Sequence, residues 1–209
     1  MAALGELVAA GRRRQRLSRE DLGALLRRPE DAAEVRACGA AEVALGDLMD
    51  AESIQRALQG IDAVYLICPN MAPLEVEMGR IALQAARQAK VRHFVYHSVL
   101  HPQVEAMPHH WNKMRVEELL FSSGLDFTIL QPTAYMQNVL AYWRQITTEG
   151  LYALPYAPES RLSLVDLADV AEVASAVIGQ PHHFGATYEL VGTAPLSQHQ
   201  VAEAFSAVL

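Results

Sequence analysis

The sequence predicts a doubly wound α/β fold with a mostly parallel sheet, and two observations carry that prediction. Short apolar runs, rich in β-branched and aromatic residues, alternate with helical stretches of about ten residues or more. Connections of that length are crossovers, so the strands lie side by side in parallel and helices cover both faces. No repeat, low-complexity tract or linker interrupts the 209 residues, and 51% apolar content is enough for one core. A single domain over residues 1–209 is the expectation.

The elements follow in chain order. AALGELVAAG reads as a short helix with Gly11 behind it. SREDLGALLRRPED is ambiguous, because Ser18 to Asp21 is a capping-box pattern while DLGALL suits a strand. A strand at Ala24 to Arg27 is favoured, since a βαβ unit then continues through DAAEVRACGA into the strand AEVAL, Ala41 to Leu45. Further strands are AVYLIC (Ala63 to Cys68), HFVYH (His93 to His97), FTILQ (Phe127 to Gln131) and TYELVG (Thr187 to Gly192). The helices between them are DAESIQRALQG, stopped by Gly60; LEVEMGRIALQAARQAK; WNKMRVEELLFSSG, ending at Gly124; and DLADVAEVASAVIG. SQHQVAEAFSAVL closes the chain with Ser197 as its N-cap.

Composition excludes several functions. Net charge is −7, from 24 acidic and 17 basic residues, which disfavours nucleic acid and anionic lipid as partners. The basic run GRRRQR reads as solvated surface. No apolar run approaches the roughly 20 residues that span a bilayer, and MAALGELVAAGRRR has its apolar part before its basic part, the reverse of a secretory signal. Cys38 and Cys68 form no CxxC motif or disulfide framework, so a reducing cytoplasm and a small-molecule substrate are expected.

Ligands of such sheets sit beyond the carboxyl ends of the strands. The residues there are Gly46-Asp47-Leu48, Pro69-Asn70, Ser98 with the histidine-rich stretch after it, and Pro132-Thr133. Dinucleotide folds of the Rossmann type open with a strand and a GxGxxG-like turn that cradles the pyrophosphate. Gly5, Gly11 and Gly23 fit neither usual spacing, so the expected sheet is Rossmann-like with its first strand missing or replaced. An empty central slot would leave buried backbone groups unpaired at roughly 1 to 3 kcal/mol each. The N-terminal residues refill it, another chain supplies a strand, or the chain is a shortened gene product.

From Ala24 onward the sequence resembles the NmrA-like family, an atypical branch of the short-chain dehydrogenases/reductases. The resemblance rests on ALLRRPEDAAEVRACGAAEVALGDLMDAESIQRALQGIDAVYLICP, VRHFVYHSV, HHWNKMRVEELLFSSGLDFTILQPTAYMQNVL, RLSLVDLADVAEVASAVI and GATYELVG, in that order and spacing. It implies binding of NADP(H), with NAD(H) as the other possibility, by a reductase of a small quinone or carbonyl. The alternatives are a non-catalytic NADP(H)-sensing regulatory protein, a degenerate scaffold, and association as a homodimer or with a regulatory protein partner. Residues 132–209 would contribute the substrate side.

Carried over by position, Arg27 and Arg28 would meet a 2'-phosphate, Asp47 and Leu48 the adenine, and Cys68, Pro69 and Asn70 the dinucleotide. Asp47 reads equally as a cap of the helix that starts near Asp50. Lys113 corresponds to the lysine that binds the nicotinamide ribose, or else pairs on the helix surface with Glu117. Pro132, Tyr135, Met136, Gln137 and Asn138 would face the nicotinamide and substrate. Where short-chain dehydrogenases carry a tyrosine four residues before the lysine, this chain has His109, which with Ser98 would serve as acid or else hold the loop. His97, His101, His109 and His110 lack metal-ligand spacing, and no metal is expected. His93 reads as a histidine satisfied within the fold, and His182 and His183 as loop residues.

Overall fold

The computed structural model describes residues 6–10, 22–26 and 29–209. Its strands are β1 (Glu6–Ala10), β2 (Leu22–Leu26), β3 (Glu42–Leu45), β4 (Ala63–Ile67), β5 (His93–His97), β6 (Phe127–Pro132), β7 (Ala134–Tyr135), β8 (Arg161–Leu162), β9 (Leu164–Val165), β10 (Ala186–Leu190) and β11 (Leu196–Ser197). Its α-helices are α1 (Ala32–Ala37), α2 (Ala51–Ala57), α3 (Glu75–Gln88), α4 (Pro108–Phe121), α5 (Trp143–Glu149), α6 (Leu167–Val177) and α7 (Gln198–Ser206).

Seven strands form one sheet in the order β10-β6-β5-β4-β1-β2-β3. The pairs β2·β3, β4·β5 and β5·β6 are parallel, joined through α1, α3 and α4 as the alternating pattern requires. Strand β2 begins two residues before the expected Ala24 and pairs Leu26 with Leu45, so the βαβ unit through α1 is present.

The first element departs from expectation. The stretch expected to be a short helix contains β1, which fills the central slot between β2 and β4 and runs antiparallel to both. Helix propensity for Ala, Leu and Glu is worth only tenths of a kcal/mol per residue, whereas unpaired β2 and β4 edges would lose more per group. The register sets Glu6 opposite Ile67 and Ala10 opposite Ala63. The chain therefore leaves β1 at the amino edge of its neighbours, the reverse of a parallel first strand. The capping-box reading of Ser18 to Asp21, the run GRRRQR, and both Arg27 and Arg28 lie outside the described residues.

Local chemistry explains the helix ends. Asp50 caps α2, its carboxylate accepting from the Glu52 N–H at 3.0 Å. Ser197 and Gln200 form a full capping box on α7. Gly60 and Gly124, read as helix stops, hold φ of 72° and 73°.

By compactness the chain falls into two units, Ala2–Gln131 with Val173–Tyr188, and Pro132–Glu172 with Glu189–Leu209. The core of the first is a cluster of Ile54, Leu58, Leu66, Phe94, Val116 and Ile129 among others. Within it α3 and α4 touch at Gly79, where a β-carbon would stand 2.8 Å from Val116 Cγ1. The second unit holds the pairs β7·β9 and β8·β11 and an aromatic group in which Phe205 meets Trp143 and Tyr152.

Candidate functional site

In the first unit, Leu45, Ile67 and His97 end β3, β4 and β5 along one carboxyl edge. The loops beyond β4 and β5 each carry a non-glycine residue in the left-handed region, Met71 (φ 54°) and His101 (φ 55°). Such backbone is held only where surrounding contacts over-determine it.

Lys113 stands on the second turn of α4, and its ammonium is tied into this edge. Nζ donates to Glu75 Oε1 at 2.7 Å and to the His97 carbonyl oxygen at 3.2 Å, and sits 5.5 Å from the centre of the Tyr96 ring. The helix-surface pairing with Glu117 is not what forms. Glu75, the first residue of α3, is fully buried, and its Oε1 also accepts from the Tyr96 hydroxyl at 2.9 Å. Oε2 meets no N–H or O–H donor among the described residues. The Cys68 thiol, a weak donor, adjoins this carboxylate; burial first and the carboxylate second push the thiol up to about 12. A lysine ammonium has three N–H bonds; two are used among the described residues, and none of those residues takes the third.

Glu117 is the centre of a separate buried group. It accepts from the Ser98 hydroxyl and from Gln131 Nε2 at 2.9 and 3.1 Å, and burial raises its carboxyl above the usual range. Ser98 is itself buried. The Glu117 carboxylate therefore ties α4 to Ser98, just after β5, and to Gln131 on β6.

The histidines separate by role. His97 Nδ1 is hydrogen-bonded to the Tyr65 hydroxyl, and burial, helped by the Lys113 charge, lowers its pKa to about 3. His93 is buried between Thr128 Oγ1 (2.9 Å) and the Gly179 N–H (2.9 Å), and burial, then the His183 charge, lowers it to about 4. His110 Nδ1 lies 3.0 Å from the His101 carbonyl oxygen, so the loop-holding role expected of His109 falls to its neighbour. His109 touches His110 edge-to-face and makes no hydrogen bond among the described residues. Burial, then the charges of His110 and Lys113, lower its pKa. His182 and His183 lie in a 3-10 turn. No three His, Cys, Asp or Glu side chains among the described residues converge in a metal-holding arrangement.

At the β3 end, Asp47 Oδ1 accepts from the Met49 N–H at 2.9 Å while Asp50 caps α2, which separates the two roles the sequence left open. Leu48 is buried in the core cluster, leaving its backbone rather than its side chain for a ligand. Pro69 is half-buried and Asn70 exposed. Pro132, Tyr135, Met136, Gln137 and Asn138 belong to the second unit, where Gln137 Nε2 donates to Asp166 at 2.9 Å and its Oε1 accepts from the Leu167 N–H. Glu75 was missed by the sequence reading. Its one signal was an acidic residue in a helical first turn with a lone lysine on the neighbouring crossover helix.

A dinucleotide asks two things of this edge. The remaining N–H of Lys113 fits the hydroxyl pair of a nicotinamide ribose. The pyrophosphate needs a helix start after the strand in the β1 slot. Since β1 is antiparallel, no described helix begins there at the carboxyl edge. Among the described residues the fixed Lys113 ammonium is present and the usual pyrophosphate cradle is not.

Fold and edge together define a Rossmann-like α/β domain. The chain belongs to the NmrA-like family, whose model matches residues 17–209. It is 33% identical over 189 residues to an NAD(P)H azoreductase of Xenophilus azovorans, covering 88% of this chain and 64% of that protein. To quinone oxidoreductase 2 of Escherichia coli it is 28% identical over 179 residues, covering 86% and 62%. Among solved structures, an NADPH-dependent quinone oxidoreductase of Escherichia coli complexed with NADPH superposes with a TM-score of 0.78 at 26% identity, covering 88% of this chain and 65% of that one. The chain thus spans just under two thirds of the length of these relatives. No helix among the described residues is long and apolar enough to cross a membrane.

Proposed function

We propose that the chain binds NADP(H) at the carboxyl edge and serves as an NADPH-dependent oxidoreductase of a small quinone or carbonyl compound. The observation that carries this is the Lys113 ammonium, fixed by Glu75 and the His97 carbonyl with one N–H left over. The names of the relatives support it. When bound, the cofactor supplies a hydride. Lys113 holds the ribose hydroxyls, and Asp47, the Leu48 backbone, Pro69 and Asn70 line the rest, with Cys68 beneath. Arg27 and Arg28 meet the 2'-phosphate, and Pro132, Tyr135, Met136, Gln137 and Asn138 serve the nicotinamide and substrate side.

His109 is the proton donor. A histidine with a lowered pKa is the stronger acid when protonated, at the expense of the fraction protonated at neutral pH. Ser98 acts at one remove, by holding Glu117 on the helix that carries Lys113.

The antiparallel β1 favours a second reading, a non-catalytic NADP(H)-sensing module or a scaffold that has lost the cofactor. NADPH oxidation against a quinone, azo and aldehyde panel separates these. Turnover with any member supports the enzyme, saturable binding without turnover the sensor, and no binding of NADPH or NADH at millimolar concentration the scaffold. The acidic balance and two free cysteines support a cytoplasmic setting. Association as a homodimer or with a regulatory protein is tested by sedimentation.

A further inference from the structure

We infer that Glu75 is the positioning residue of this edge, which fixes the Lys113 ammonium so that its remaining N–H points to ligand rather than into the fold. What Lys113 meets rests on the cofactor reading above; the pairing itself does not.

Both charged groups of the pair are held from more than one side. Glu75 is fully buried, and a carboxylate so placed is held in the fold only with donors around it. Two donors from different elements, Lys113 on α4 and the Tyr96 hydroxyl on β5, converge on one oxygen, which fixes that oxygen in two directions. The ammonium in turn is held by Glu75 and by the His97 carbonyl, on separate elements. A flexible four-carbon side chain with two anchors has lost most of its rotamer freedom before any ligand arrives. Glu75 Oε2 is buried without an N–H or O–H donor among the described residues, so once Lys113 is removed only the Tyr96 hydroxyl still donates to the carboxylate.

The helix pair supplies the distance. Gly79 and Val116 are in contact, and Glu75 lies one turn before Gly79 while Lys113 lies one turn before Val116. The close approach of the helices at the glycine is what brings the two charges within reach.

The chain has two lysines, and Lys90 is exposed at the end of α3, an internal standard for the other. The experiment is trace acetylation of the folded full chain with acetic anhydride, read as the ratio of acetylated Lys113 to Lys90 by mass spectrometry. In the wild type, Lys113 reacts roughly tenfold more slowly than Lys90, as befits an ammonium in a buried pair. Glu75→Gln raises the ratio several-fold and weakens NADPH binding, measured by fluorescence. Glu75→Asp, which keeps the charge, recovers part of both. Equal wild-type rates at the two lysines overturn the inference without any variant. So does a folded Glu75→Gln with an unchanged ratio, or one whose ratio rises while NADPH binds as in the wild type. If the wild type binds no NADPH but the labelling pattern holds, the cofactor reading falls and the positioning of Lys113 stands.

Discussion

Gly79 lies against Val116 so closely that a methyl group on it would come within 2.8 Å of Val116 Cγ1. Val116 is fully buried. The contact sets how near α3 comes to α4, and with it the reach between Glu75 and Lys113.

Gly79→Ala is therefore destabilising despite the better helix propensity of alanine. Overpacking costs about 1–3 kcal/mol and the propensity gain offsets up to about 1. Urea unfolding should show a lower midpoint. Acetylation of Lys113 relative to Lys90 should rise as the helices part. A midpoint at or above that of the wild type would show that the helices do not depend on this contact.

Lys113→Met leaves Glu75 buried without its cation and should lower stability by about 3–5 kcal/mol. Adding Glu75→Gln to it should restore much of the loss, because an amide is cheaper to bury than an unpaired carboxylate. Additive losses in the double variant, measured by the same unfolding, would mean that the pair is not coupled.

Stability should fall on acidification through a defined window. His93 and His97 are held neutral, at about 4 and about 3, against 6.5 when unfolded. Below 6.5 the unfolded chain takes up protons that the folded chain refuses, so their contribution is complete above that pH and is lost as pH falls toward the folded values. Each proton contributes up to about 1.4 kcal/mol per pH unit. Glu117, raised by burial, works in the opposite sense. Unfolding free energies at pH 7, 6 and 5 should decline, and His93→Gln should flatten the slope. A profile level from 7 to 5 would contradict the assignment.

His109 and His110 should part company in turnover. His109→Ala should lower kcat by roughly 100-fold or more, the usual worth of a positioned acid, with quinone reduction in the wild type rising as pH falls toward 6. His110→Ala loosens only the His101 loop and should act mainly on KM. Equal, small effects of both would remove the acid role.

Much of this was legible in the chain because strand ends are legible. AVYLIC and the FVY centre of HFVYH are continuous apolar and aromatic runs, which is the mark of strands covered on both faces, and their ends locate Pro69, Asn70 and the start of the Lys113 segment. Two things were hidden. In ELVAA, Glu6, Leu7, Ala9 and Ala10 are helix formers, and only the unpaired edges of β2 and β4, a property of the assembled sheet, make it a strand. Glu75 looks like any acidic residue in a helical first turn; its burial comes from the approach at Gly79, which no local pattern encodes. The segment from Ala134 to Val165 forms strands of two residues, too short to leave a periodicity.

NADPH is proposed to bind over Lys113. Trace acetylation of the wild-type chain with and without NADPH tests it directly, Lys90 serving as the reference. Saturating NADPH should suppress Lys113 acetylation well beyond the protection that Glu75 already gives while Lys90 reacts unchanged. Identical Lys113 labelling with and without cofactor, at concentrations where fluorescence shows NADPH bound, would place the cofactor elsewhere.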